Sequence, residues 1–146
     1  MNLRMDRISV VNQIRFSSMI KLNVGCGWRD FGKEWTHIDG GDYPHLEHSD
    51  IFLKDYSIDS VDLIYASHLL EYFDEEEVES LLWYWKRALK KDGVLRIAVP
   101  DFESMANLYV NENYPLTSFL GPLYGRMHMG EEYIYHKRTY DFDTLS

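Results

Sequence analysis

Gly25, Gly27 and Asp39 are the residues whose types and spacing suit one defined chemistry. The run KLNV alternates straight into Gly25-Cys26-Gly27, and a second short apolar run, Trp35–Ile38, ends on Asp39. Glycines at such a turn lack a Cβ and tolerate positive φ, so the backbone can approach a ligand closely. An acid at the end of the next strand can accept hydrogen bonds from both hydroxyls of a ribose. Together they suit a nucleoside-type cofactor. The third glycine of the dinucleotide fingerprint is missing, which weighs against a nicotinamide cofactor. The structural alternative is an ordinary strand-to-helix turn, with Asp39 a turn residue before Gly40-Gly41.

A second set consists of histidines. His68 and Glu71 stand at i, i+3 and could be a base and its orienter, two metal ligands, or a hydrogen-bonded helix start. His128, Tyr135 and His136 fall in a stretch, Gly121–Tyr140, rich in Tyr, Met and Gly and poor in aliphatics. That composition suits a pocket wall or lid, and these residues could hold a substrate or supply a base; an exposed aromatic loop is the alternative. His37, His45 and His48 lie near Asp42, Glu47 and Asp50, but without a tight H-x-x-x-H or cysteine spacing, so no metal site is expected. Cys26 has no evident base partner and reads as a small turn residue. Trp83, Tyr84 and Trp85 read as helix packing.

The elements that must position these residues follow from periodicity. Lys21–Val24 and Trp35–Ile38 read as strands. Only eleven residues, Trp28–Ile38, separate Gly27 from Asp39, too few for a usual helical crossover, so the first helix is short or absent. Gly40–Pro44 breaks the chain, and His45–His48 could be a brief third strand. Val61–Ala66 is a buried strand, and Ser67–Phe73 leaves it. Asp74 with Glu77 forms a capping box ahead of apolar positions Val78, Leu81, Leu82, Trp85, Ala88 and Leu89 at helical spacing. Acids at its start and Lys86, Arg87, Lys90 and Lys91 at its end match the helix dipole, and Gly93 is expected to stop it. Val94–Val99 is a further strand, closed by Pro100; Asp101 caps a helix over Phe102–Tyr109.

This order predicts a mostly parallel α/β sheet. On such sheets ligands sit at the carboxyl ends of the strands, where Gly25–Gly27, Asp39, Asp50 and Ala66–His68 all fall.

The 146 residues are enough for one domain with one core: a domain over 19–146 behind an N-terminal extension, 1–18. A net charge of −9 argues against a phosphate backbone as main partner. One cysteine precludes an internal disulfide, which fits a reducing compartment. No apolar run approaches the roughly 20 residues of a membrane span, and the first 18 residues hold no signal-peptide core. The expectation is a cytoplasmic protein with no membrane partner.

Several segments together, LNVGCG, HID, SDI, SVDLIYASHLLEYF, LKKDGVLRIAVPD and YHKRTYDFDTL, resemble the class I S-adenosylmethionine-dependent methyltransferases. In particular they are similar to compact, bacterial-type predicted methyltransferases with a shortened first crossover. The resemblance spans about Ile20 to Leu145. It implies a Rossmann-like, three-layer α/β/α sheet, here of about five strands, because the chain stops where the family continues into a helix and two more strands. It implies S-adenosylmethionine as cofactor: Gly25, Cys26 and Gly27 against its methionine part, Asp39 on the ribose, Asp50 and Ile51 flanking the adenine, and Ala66, Ser67 and His68 on the far side, towards the acceptor. Asn23 joins this set at a position where many relatives carry an acid.

The activity so implied is methyl transfer to an oxygen or nitrogen of a small molecule or saccharide precursor, with His68, His128 and His136 as candidate bases and no nucleic acid as substrate. The alternative is a non-catalytic cofactor-binding or interaction module of the same fold, motivated by Asn23 and the missing strands. Under either reading an exposed sheet edge would suit a homodimer.

Overall fold

The computed structural model describes residues 18–145. The extension expected over 1–18 therefore lies, apart from Ser18, outside the described residues. Four parallel strands form the main sheet: β1 (Lys21–Val24), β2 (Thr36–Ile38), β3 (Val61–Ser67) and β4 (Leu89–Ala98), in the order β2-β1-β3-β4. This is one strand short of the expected number. The segment at His45–His48 contributes only a single parallel bridge, between Ile38 and His48.

Alternation builds the core. Leu22 and Val24 on β1 and Val61, Ile64 and Ala66 on β3 are buried, and they meet the apolar stripe of helix α1 (Glu75–Ala88). Val78, Leu81, Trp85 and Ala88 form that stripe. Trp85 is fully buried and donates its indole N–H to the carbonyl of Ile51 at 2.8 Å. The helix thereby pins the loop that follows β2. Full burial of a side chain such as Leu81 contributes about 1.5–3 kcal/mol. The capping box is formed in both directions: Glu77 N donates to Asp74, and Asp74 N donates to Glu77.

On the opposite face the short crossover carries no helix. Its aromatics cover the sheet instead. Phe31 packs on Trp35 and Tyr65 with ring centroids at 5.3 and 5.4 Å, and Tyr65 alternates along β3 with the buried Ile64 and Ala66.

Gly93 does not stop α1. The helix ends at Ala88, and Leu89 already pairs with Val61 in the sheet. Pairing then jumps to Leu63–Val94, leaving an irregular bulge. A Cβ at Gly93 would come within 3.0 Å of the carbonyl oxygens of Val61 and Lys90. Glycine is there because two backbones approach closely, a common reason for glycine at a bulge.

Asp101 caps α2 (Phe102–Asn111) through the amide of Glu103. The chain then passes through α3 (Leu120–Tyr124) into an antiparallel hairpin, β5 (Met127–Met129) and β6 (Glu132–Ile134). It returns to the sheet at Tyr140, which is buried and bridges to Asp101, before α4 (Phe142–Leu145). Among the described residues no helix is long and apolar enough to cross a membrane.

Candidate functional site

β1 delivers the chain into two left-handed residues, Gly25 (φ 67°) and Gly27 (φ 53°). At Gly25 the requirement is also steric: a Cβ would lie 2.7–2.9 Å from the side chain of Leu69. Above Gly27 the space is open, the nearest heavy atom to a hypothetical Cβ being the Tyr43 hydroxyl at 3.9 Å. Asp39, at the end of β2, is 6% exposed and braces this turn. One carboxylate oxygen accepts from Gly27 N at 2.8 Å, the other from Gly41 N at 2.7 Å. A carboxylate offers about four lone-pair sites, so each oxygen retains capacity for a ligand.

These groups open onto a cavity of about 250 Å³ at the carboxyl ends of β1, β2 and β3. Its floor is Gly25, Cys26, Gly27 and Asp39; Ile51, Ser67 and His68 form one side. Met127, Met129 and Ile134 of the hairpin close it from the C-terminal part of the chain. Trp28, 77% exposed, stands at its rim.

Several sequence candidates lie elsewhere. Asn23 is buried and donates to the carbonyl of Arg29 at 3.3 Å, so it holds the loop after the glycine turn. Asp50 caps its own turn, accepting from the amides of Phe52 and Lys54, each at 3.0 Å. That turn sets Ile51 in the cavity wall. Ala66 is packed in the core. His128 is exposed and lies against Tyr133, with centroids at 4.0 Å. His136 packs edge-on to Tyr72 at 4.6 Å, with Nδ1 at 2.8 Å from the carbonyl of Pro122. Of the three histidines named as bases, His68 lines the cavity.

Cys26 sits in the cavity floor, its Sγ 3.7 Å from His45 Nε2. No base partner for this thiol is evident in the sequence, and the structure brings His45 beside it; burial and the nearby Asp39 carboxylate nevertheless push its pKa up to about 11, so it remains a neutral thiol.

His68 and Glu71 do meet. His68 has a left-handed backbone, φ 54°, fixed by donation of its amide to Ala98 O at 2.9 Å. Its Nδ1 lies 3.3 Å from Glu71 Oε1. Glu71 is 1% exposed, and neither carboxylate oxygen has a hydrogen-bond partner of good geometry. Burial raises its pKa, against the opposing pull of its own backbone and of His136 and His68. No cluster of three potential metal ligands occurs among the described residues.

Tyr43, Tyr72, Phe73 and the hairpin residues also line the cavity, and none of them stood out as a site residue in the sequence. The aliphatic-poor composition of Gly121–Tyr140 was the signal for the hairpin wall. Tyr43 carried none.

A parallel sheet with a glycine turn after its first strand and an acid after its second defines a Rossmann-like α/β fold. More particularly, it is the fold of S-adenosylmethionine-dependent methyltransferases. A SAM-dependent methyltransferase from Archaeoglobus fulgidus superposes with a TM-score of 0.55 at 19% identity over 87% of this chain. DhpI, solved as a complex with SAM and HEP, superposes with a TM-score of 0.50 at 16% identity over 90% of this chain. The chain spans 57% of the length of the first and 69% of the second. No protein-family model matches the chain, and no curated protein matches it by sequence.

Proposed function

We propose that the cavity binds S-adenosylmethionine and that the protein transfers its methyl group to an oxygen or nitrogen of a small molecule or saccharide precursor. The observation that carries this reading is the brace between Asp39 and Gly27 N at the cavity floor, set in a fold shared with S-adenosylmethionine-dependent methyltransferases. The residues fit such a cofactor: open backbone over Gly27 for its amino-acid end, a buried carboxylate with spare lone pairs for ribose hydroxyls, and Ile51 as an apolar wall for a base. When bound, the cofactor supplies a methyl group activated by a sulfonium. The chain's own residues supply position and exclusion of water. His68, at the cavity wall, would take the acceptor's proton. His136 and His128 lie back from the cavity, packed against Tyr72 and Tyr133. The acidic balance of the chain disfavours nucleic acid as acceptor.

A second reading is a non-catalytic cofactor-binding or interaction module. Both oxygens of Asp39 are already engaged by backbone amides, which by itself explains that residue structurally. Among the described residues the outer edge of β4 pairs with no strand, and with Val94 46% and Leu95 36% exposed it would suit a homodimer in either case. A cytoplasmic location accords with the single, unpaired cysteine.

Release of S-adenosylhomocysteine from S-adenosylmethionine, measured across hydroxyl- and amine-bearing acceptors, decides between the two. Acceptor-dependent release that is lost in His68→Asn supports the enzyme. Binding without release on any acceptor supports the module.

A further inference from the structure

Glu71 is an expensive residue to keep in this position. An ionised carboxylate removed from water and left without hydrogen bonds costs several kcal/mol, and an apolar residue of similar volume is often as stable or more so. Glu71 is 1% exposed with both oxygens unpartnered. His68 Nδ1 lies 3.3 Å from Oε1, and the carboxylate also feels its own backbone amide and His136. His68 in turn adopts a left-handed backbone that costs about 1–2 kcal/mol in a residue other than glycine. Strain of this kind persists where the surroundings over-determine it and clusters at functional sites.

The carboxylate is held in place by its own main chain. The carbonyl of Glu71 accepts from the amides of Lys137 and Arg138 at 2.7 and 3.2 Å. Tyr72 beside it donates its hydroxyl to Gly125 O at 2.7 Å. The turn bearing Glu71 is thus clamped between the sheet and the returning C-terminal strap. The other ionisable groups that feel the carboxylate are His136 and Tyr140 on the strap and Tyr72 on its own turn.

We propose that Glu71 is a positioning residue that fixes the ring orientation and tautomer of His68, presenting an unprotonated Nε2 to the cavity. His68 Nδ1 lies within reach of Glu71 Oε1 but off the line of a well-aligned hydrogen bond; a neutral imidazole that turns its Nδ1–H to that carboxylate carries its lone pair on Nε2. Resting on the methyl-transfer reading, the step is then balanced. The acceptor's oxygen or nitrogen forms a bond to the methyl carbon as the carbon–sulfur bond breaks. The acceptor's proton passes to Nε2, and Glu71 offsets the positive charge of the resulting imidazolium.

The test is the nitrogen chemical shifts of the His68 ring in the cofactor-free protein at pH 8, with the resonance assigned by its loss in His68→Asn, a residue that tolerates the left-handed backbone. The expected result is a protonated Nδ1 and a pyridine-like Nε2 in the wild type. In Glu71→Met, which keeps the volume and removes the acceptor, the preference shifts to the Nε2–H form while the melting temperature stays level or rises. An Nε2–H tautomer in the wild type, or an Nδ1–H tautomer that survives in Glu71→Met, overturns the proposal. Should Glu71→Met not fold, the wild-type tautomer alone still decides. Calorimetric titration of the same wild-type sample with S-adenosylmethionine separates the two readings: absence of binding contradicts the methyltransferase and leaves the tautomer result standing.

Discussion

The two sides of the cavity are built on opposite principles. In the cradle formed by Gly25–Gly27 and Asp39, the polar groups answer one another: Gly25 N meets Ile38 O at 2.8 Å, and each Asp39 oxygen holds a backbone amide. In the wall formed by His68–Tyr72, a residue other than glycine carries positive φ, and a buried carboxylate has no hydrogen-bond partner of good geometry although His68 Nδ1 lies 3.3 Å away. The first region is satisfied before any ligand arrives, and binding needs little reorganisation there. The second holds unspent interactions, the condition expected where a proton is to be moved. Under the proposed methyl transfer, the difference assigns binding to the first side and proton transfer to the second.

The sharpest way to break the cradle is Gly25→Ala. It combines left-handed strain with collision against Leu69 and is expected to cost about 2–4 kcal/mol, read by chemical denaturation, together with loss of cofactor binding. Gly125→Ala probes the strap. With φ 50° and a Cβ that would overlap the His136 ring, it should cost about 2–4 kcal/mol and raise amide exchange over 124–138 while leaving the cradle's protection unchanged. Asp39→Ala comes next. It strips the partners from Gly27 N and Gly41 N and is expected to cost about 1–3 kcal/mol, with cofactor binding abolished in a protein that still folds.

The smallest effect distinguishes the reacting wall by sign. Burial raises the pKa of Glu71 above its ordinary 4.5. The folded state therefore binds more protons than the unfolded chain above that pH, and stability contributed at this site falls as pH rises. Denaturation profiles of wild type and Glu71→Met should coincide near pH 4 and separate in favour of the variant as pH increases. A wild type that gains on the variant with rising pH would show that the carboxylate is well satisfied, and the contrast between the two walls would disappear.

Much of the cradle was legible because it is local. The alternation of Lys21–Val24, the two glycines and the acid twelve residues beyond Gly27 state their own geometry. So does the box at Asp74 and Glu77, whose partners are three residues apart. Gly93 misled because a glycine after a helical stripe reads as a stop, whereas here its role is set by Val61, on another strand. The hairpin was hidden because each of its strands is three residues long, too short for alternation to register, and only the composition of Gly121–Tyr140 hinted at a wall. Asp50 shows a further limit: its position after a short apolar stretch suits a ligand contact and a turn cap equally, and only the amides of Phe52 and Lys54 reveal which neighbours it has.

The central claim is that the braced glycine turn is a cofactor cradle. Calorimetric titration of the purified protein with S-adenosylmethionine and with S-adenosylhomocysteine, alongside Asp39→Ala, tests it most directly. Saturable binding of both ligands to the wild type, lost in a folded Asp39→Ala, is the expected result. A folded wild-type protein that binds neither ligand would contradict the claim and leave Asp39 as a structural brace alone.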